Sequence, residues 1–365
     1  MAHYPRSARN PARVTMRALA EMAGVSVQSV SLALRNQPSI GVETRTRIQA
    51  LARQLGYTPD PQIVKLMHHL RTGHQHKLGA SVCFLTTRPP TDRETFCDLL
   101  LAGAIEGART AGFSHHVIHV EPEKMPRDRL MRMLRARGVE GLLLLPMADL
   151  RPLDDLLNWR EFSVISATLS VPSPKFDRVV VDHFQNVFGL IERLQEAGYR
   201  RPGLVVQREH DRRCGYHPAA ALAWHGVYGA VEPVLAHRCE QLESLAFHRW
   251  LKAQRPDVLL VSHDEFALEL RQLPGFPSQL PVISCSARPV EDGTFPFSGN
   301  FDNPQQIGSV AAETLARKIA LGIRGLPVNP HTTLIRGTWV GRLESATKRL
   351  PQSALSRTSP QDKAG

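Results

Sequence analysis

At 365 residues the chain exceeds the roughly 100 to 200 residues of one ordinary domain, and its 42% hydrophobic content is enough to fill more than one core. The net charge of +11 is unevenly placed: residues 1–77 hold eleven lysines and arginines against three acids, which implies a polyanionic partner for that segment, nucleic acid or an anionic membrane surface. No window approaches the about 20 apolar residues of a spanning helix, Met1 to Arg13 has no apolar run of signal-peptide length, and the five dispersed cysteines form no Cys-x-x-Cys, a pattern expected of a reduced cytoplasmic protein without membrane attachment.

Residues 1–13 are polar, basic and aperiodic, and read as a flexible arm. Residues 14–60 read as a small all-α unit. Thr15 suits an N-cap, and Ala18, Leu19, Met22 and Ala23 follow at helical spacing. Gly24 supplies a left-handed turn, after which Ser26 caps a second helix, Val27 to Leu34. A third helix is predicted over Val42 to Leu55, with Ile48, Leu51, Ala52 and Leu55 as its apolar stripe. Two helices joined by so short a turn make a helix-turn-helix, in which the first helix braces the second and the second enters a DNA major groove.

Such a head needs small residues where helices touch and polar ones where DNA is met. Ala20, Ala23, Gly24, Val25 and Val30 meet the first demand; Gln28, Ser29 and Ser31 meet the second, with Val27 placed for a thymine methyl. Gln28 is the candidate for direct readout, since a carboxamide pairs with adenine through two bonds; contact with a phosphate or solvent is the alternative. Ser29, Ser31, Thr15, Arg45 and Arg47 are expected to set register on phosphates, with Ser26 a further DNA-binding candidate, although a solvated face explains Arg45 and Arg47 equally well.

Residues 61–77 are a linker, opened by the stiff Tyr57-Thr58-Pro59-Asp60-Pro61. From Leu78 strands alternate with helices: strands near Gly79–Thr87, Phe113–Val120, Gly141–Pro146, Phe162–Ala167, Arg201–Gln207, Val258–Ser262 and Val282–Ser286, and helices near Phe96–Ala111, Arg127–Arg137, Leu153–Trp159, Asn186–Ala197, Cys214–Tyr228, Leu245–Ala253, Glu265–Gln272 and Asn303–Gly322. This rhythm predicts α/β doubly wound parallel sheets, two of them, divided near Val179 to Asp182. Residues 346–365, rich in Ser, Pro, Gln and charge, are expected to be disordered.

The head resembles the lactose/galactose repressor family. Val14-Thr15-Met16-Arg17-Ala18-Leu19-Ala20-Glu21-Met22-Ala23-Gly24-Val25-Ser26 looks like that family's opening motif, and Val30-Ser31, Arg35-Asn36, Thr44-Arg45 and Leu55-Gly56-Tyr57-Thr58-Pro59 continue it in register. Many members have an arginine just after the Val-Ser pair, where this chain has Leu32, which cannot hydrogen-bond guanine. The resemblance implies a hinge helix that pushes an apolar side chain between base steps in the minor groove, here Leu66 with Lys65 and Arg71 as phosphate partners, or else a Leu66 packed on the head or body. It also implies a periplasmic-binding-protein-like body over residues 78–345, its lobes about 78–180 plus 303–322 and 182–302 plus 323–345, acting as a homodimer on a double-stranded operator.

Ligands of open parallel sheets sit at the carboxyl ends of strands, which here means the cleft between lobes. By resemblance, Arg212 in Arg-x-x-Gly and Asp264 in Ser262-His263-Asp264 fall where the family binds small polyols, with His263 replacing a common asparagine and Ser166 and Thr168 as further candidates. A sugar-like effector follows; an interlobe salt bridge between Arg212 and Asp264 is the alternative.

The sixteen histidines, notably His68-His69, His74-x-His76 and His115-His116, show no metal-ligand spacing, and no metal or other cofactor is expected. Consecutive strand-end side chains point apart, so Ser262-His263-Asp264 makes no triad, and no enzyme is expected. The rival reading is a solute-binding receptor without regulatory DNA binding; it would carry a signal peptide and lack the head.

Overall fold

The structure, a computed structural model, describes residues 15–34, 40–55, 57, 81–89, 95–229, 231, 232 and 234–343. The arm, the linker with Lys65 and Leu66, and the tail lie outside the described residues.

In the head, α1 (Met16–Ala23) starts at Thr15, whose hydroxyl accepts from the Ala18 amide at 3.2 Å. It ends at Gly24 with φ 65° and ψ 34°, a left-handed geometry that side chains resist. The hydroxyl of Ser26 then accepts from the Ser29 amide at 3.1 Å and starts α2 (Val27–Leu34); α3 (Val42–Gln54) closes the unit. Leu19, Ala20, Ala23, Val30, Ala33, Ile48 and Ala52 form its core. The alanines allow the close helix approach that a three-helix unit of this size requires. Gln49 of α3 donates from Nε2 to the Ala33 carbonyl at 2.9 Å, satisfying an acceptor at the end of α2.

The body runs β1 (Ser81–Thr86), α4 (Thr95–Thr110), β2 (Ser114–His119), α5 (Arg127–Ala136), β3 (Val139–Leu144), β4 (Ser163–Ser166), β5 (Arg178–Val181), α6 (His183–Glu196), β6 (Pro202–Gln207), α7 (Arg208–Arg213), α8 (His217–Tyr228), β7 (His237–Cys239), α9 (Ser244–Gln254), β8 (Val258–Val261), α10 (Asp264–Arg271), β9 (Val282–Ser284), β10 (Gly299–Phe301), α11 (Pro304–Ala320), β11 (Thr332–Ile335) and β12 (Thr338–Val340). Two six-stranded sheets result, ordered β11-β5-β4-β3-β1-β2 and β12-β10-β9-β8-β6-β7. The first is parallel throughout, with Phe84 of β1 paired to Val117 and Leu143. The second is parallel apart from β12, antiparallel to β10.

Helices cover both faces, and the alternation within β1 follows from that: Cys83 and Leu85 enter one core, Val82 and Phe84 the other. Helices α4 and α11 pack on the second of these faces with their backbones in close contact. A Cβ on Gly308 would stand 2.0 Å from the Leu100 carbonyl oxygen, and one on Gly103 would stand 2.0 Å from that of Gln305.

Residues 153–159, expected as a helix, instead form turns followed by a single 3-10 turn at Trp159–Glu161. The Leu153 amide donates to Ser173 O at 2.8 Å and the Trp159 indole to Asp154 O at 3.2 Å, so the segment bonds outside a helical ladder while Leu153, Leu157 and Trp159 still enter the core. The helix expected from Cys214 begins at His217, after a separate short α7. The division of the lobes shifts as well: β11 joins the first sheet, so residues 332–335 belong to the first lobe and not to the second.

Three described segments pass between the lobes, after β5, after β10 and between β11 and β12, and they are tied to one another. Asp182 N donates to Ile335 O at 2.9 Å, Asn303 Nδ2 to Arg336 O at 3.0 Å and Gly337 N to Asn186 Oδ1 at 2.9 Å. Gly337 is required there, because a Cβ would fall 2.0 Å from Asn300 Nδ2.

Candidate functional sites

One candidate surface is the outer face of α2. The helical period turns Val30 and Ala33 into the head core and leaves Val27 and Gln28 exposed, with Ser29, Ser31 and Leu32 half-buried beside them. Val27 is 42% exposed, an apolar side chain held in solvent at the start of a helix. The caps expected at Thr15 and Ser26 are present, and the Ser26 hydroxyl also lies 2.9 Å from that of Ser29. Arg45 is half-buried and Arg47 exposed on the first turns of α3. The first turns of α2 and α3 thus carry two cations, hydroxyls and one free carboxamide.

The second candidate site is the cleft between the lobes, beside the three crossings. It is small, with room for about 100 Å³. The first lobe contributes Phe96, Cys97, Pro146, Thr168 and Ser170, and the second His183, His210, Arg213, Ser286, Arg288 and Asp302. Asp302 is buried and saturated: Asn186 Nδ2 and Asn300 Nδ2 donate to Oδ1 at 3.0 and 3.1 Å, and the Ser286 hydroxyl donates to Oδ2 at 2.5 Å. Burial still pushes its pKa up, and those three donors pull against that rise.

His183 and His210 keep a narrow accessible edge on the cleft while protein encloses the rest of each ring. That enclosure pushes the pKa of His183 down to about 4, with His217 adding to the effect, and holds His210 well below the ordinary range, with His263, His183 and both arginines adding to it. The imidazoles are therefore neutral near pH 7, and the cations on the cleft wall are Arg213 and Arg288. Each reaches towards the first lobe. Arg213 donates from Nη2 to Met147 O at 3.3 Å, and the Arg288 guanidinium lies 5.1 Å from the Phe96 ring centre.

Of the residues expected in this cleft, Thr168 lines it, with its hydroxyl 2.7 Å from that of Ser170. Arg212 does not. It projects to solvent from α7, 51% exposed and 4.0 Å from Glu209, because adjacent helix positions diverge by about 100° and it is Arg213 that turns inward. Nor does Asp264, which is buried within the second lobe and accepts from the Arg288 amide at 2.9 Å, so it positions the cleft arginine without facing the cleft. Arg212 and Asp264 form no interlobe salt bridge. His263 precedes α10 with Nδ1 2.9 Å from Glu265 Oε2 and its ring 5.0 Å from that of His210, behind the wall. Ser166 is fully buried and donates to the Thr168 carbonyl at 3.1 Å, which shapes the loop below the cleft.

Sequence reasoning missed Arg213, Arg288, His183 and His210 as lining residues. Arg213 was one helix position away from the residue chosen. Arg288 lies in an aperiodic loop after β9 that offers no local signal.

Residues 15–60 match the family model described as "Bacterial regulatory proteins, lacI family". An HTH-type transcriptional regulator of Mycolicibacterium smegmatis is 29% identical over 209 residues, 56% of this chain and 54% of its own length. The transcriptional repressor CytR of Escherichia coli is 24% identical over 55% of this chain and 56% of its own. The chain thus matches about half the length of these relatives. Among solved structures, a complex of the transcriptional regulator CelR with cellobiose covers 91% of this chain with a TM-score of 0.53 and 18% identity. The lac repressor dimer bound to operator covers 92% with a TM-score of 0.50 and 18% identity. Likeness at those identities shows a shared fold of helical head and two α/β lobes.

Proposed function

We propose that the chain is a transcriptional regulator of the lacI family, a repressor, whose hold on double-stranded DNA is set by a small polar effector in the interlobe cleft; the match of residues 15–60 to that family's model supports this. The observation that carries this reading is the joining, in one chain, of a helix-turn-helix with an exposed Gln28 face to a two-lobed body with a polar cleft at its crossings. The head sets it apart from a receptor that only binds solutes.

In this reading α1 braces α2, Val27 and Gln28 meet base edges, and Ser29, Ser31, Arg45, Arg47 and Thr15 meet phosphates, with Leu32 offering apolar contact where a hydrogen bond to guanine is absent. A homodimer presents two heads to a near-palindromic site one or more helical turns long. Leu66 and Lys65 would couple head and body through the minor groove. The effector acts by population shift: whichever lobe arrangement it binds more tightly becomes the dominant one, and the tied crossings transmit that choice. The protein works by binding and not by catalysis, in the cytoplasm at the nucleoid.

Selection of bound sequences from random duplexes with the full chain tests the reading. A near-palindromic motif is expected to be enriched, and its affinity is expected to change when the effector is added. Recovery of no common sequence at low salt would sink it.

A further inference from the structure

We infer that the end of the first lobe opposite the cleft is a second DNA contact, where Arg132, Arg137 and Arg160 grip backbone phosphates flanking the site held by the heads; this rests on the proposal that the heads bind DNA.

The charge of the body is balanced as a whole and uneven locally. Residues 78–343 hold thirty lysines and arginines against twenty-nine acids, whereas residues 126–138, which contain α5, hold five arginines against Asp128 alone. The helix turns Leu130, Met131 and Leu134 into the core and leaves Arg132, Arg135 and Arg137 exposed. Two neighbouring segments add Arg160 and Arg324, both exposed. The acids of this surface do not cancel the excess. Glu161 is engaged by the Arg135 fork at 2.9 and 2.7 Å and by Asn158 Nδ2 at 2.9 Å. Asp128 and Glu140 remain, and among the described residues neither they nor Arg132, Arg137 and Arg160 form an ion pair.

Contacts gather these arginines at one end of the lobe. The Arg137 carbonyl accepts from the Ser81 hydroxyl at 2.8 Å, at the start of β1, while Arg135 meets Glu161 just ahead of β4. Arg324 donates to the Glu161 carbonyl at 3.1 Å, and Gly325 N donates to Phe162 O at 2.8 Å beside Arg160. The parallel strands start at this end, and the cleft lies at the other, past Pro146 and Thr168. The chain also enters the lobe here, because the head precedes β1 in sequence. The arginine surface is thus on the side to which the heads are tethered.

The dipole of α5 accounts for a cation in its last turn. It does not account for Arg132, a turn earlier, or for Arg160 and Arg324 on other segments. Several exposed guanidinium groups on one convex end suit a partner that repeats its charges, as duplex phosphates do. The heads already cover their own site, so the phosphates left for the body are those beside it. Arg132 further lines, with Arg135 and Asn158, a groove of about 370 Å³ that is open to such a backbone.

The test uses the full chain with two duplexes, one of about 20 base pairs trimmed to the site enriched by selection and one of about 45 base pairs carrying that site at its centre. Binding is measured across a salt series for the wild type, for the triple variant Arg132→Gln, Arg137→Gln, Arg160→Gln, and for the same three positions changed to lysine. The wild type is expected to bind the longer duplex more tightly by about tenfold or more, with a salt slope steeper by about 2 to 3 per protomer. The glutamine variant is expected to lose that advantage and keep its affinity for the short duplex. The lysine variant, which keeps the point charges, is expected to retain most of it. A wild type that gains nothing from the added length, or a glutamine variant that weakens equally on both duplexes, would overturn the inference while leaving the head's reading of DNA intact. Failure of the wild type to prefer the enriched site over a scrambled one would overturn the regulator reading and this inference with it.

Discussion

The residue with the sharpest expected role is Gln28, exposed on the second position of α2. Gln28→Ala is predicted to relax one base position of the selected site by about 1 to 3 kcal/mol while leaving the dependence of affinity on salt nearly unchanged. Binding measured against single-base variants of the site checks this. A uniform loss across all sequences, with a shallower salt slope, would instead make Gln28 a phosphate contact.

A second prediction at this scale concerns pH. The folded pKa of His183 is depressed to about 4 from an ordinary 6.5, and His210 is depressed in the same direction. The unfolded chain therefore takes up these protons first. Stability contributed by the neutral rings is intact above about pH 6.5 and is lost as pH falls towards 4. Thermal melts at about pH 7.5 and pH 5 should show a drop that shrinks in His183→Gln and His210→Gln. His225 and His237, also depressed by burial, supply part of the remainder. An identical drop in the variants would mean that the rings are not enclosed as described.

Between elements, the contact of α4 with α11 separates packing from helix propensity. On propensity alone Gly→Ala within a helix stabilises by up to about 1 kcal/mol. At Gly308 the added methyl would meet the backbone of Leu100 and Ala104, at 2.0 and 2.6 Å, and neither helix yields without moving the other. Gly308→Ala is therefore predicted to destabilise by about 1 to 3 kcal/mol or more. Gly189 of α6, with nothing within 4 Å of its would-be Cβ, should respond in the opposite direction. Denaturant unfolding of the two variants decides it; stabilisation at both sites would show that the helices are not in backbone contact.

Elements with a strong local signal were legible in the sequence. Thr15, Gly24 and Ser26 announce the caps and turn of the head through side-chain and backbone chemistry that needs no tertiary partner, and the structure places α1, α2 and α3 within a residue of expectation. Long buried strands such as Val139–Leu144 were legible for the same reason. The three-residue strands β7, β10 and β12 were not, because a run that short has no period of its own and exists through its neighbours. Residues 153–159 mislead in the other direction, since their apolar spacing serves the core while the backbone bonds to the 168–174 loop. The cleft was legible only to its neighbourhood. An Arg212-Arg213 pair does not say which residue faces inward until the start of α7 is known, and Asp264 turned out to buttress Arg288 from within its own lobe.

Across the whole molecule, the three crossings make one joint between the lobes. Asp302, Asn186, Asn300 and Gly337 lock it in a network of hydrogen bonds of 2.9 to 3.1 Å around a buried carboxylate, and the cleft opens directly on that network through Asp302 and Ser286. A ligand held by residues of both lobes therefore acts on the joint itself, and any rotation of one lobe on the other must pass through it. In the proposed dimer this would give the body a physical route from a small molecule to the separation of the two heads.

The central claim is that the head reads sequence and is not merely a basic surface. Fluorescence anisotropy with the enriched duplex and a scrambled duplex of equal length, titrated with the full chain across a salt series, tests it most directly. Affinity for both duplexes should fall as salt rises, because phosphate contacts displace counterions in each. The enriched duplex should remain tighter by about a thousandfold or more throughout. Equal affinity for the two duplexes at every salt concentration would contradict the account.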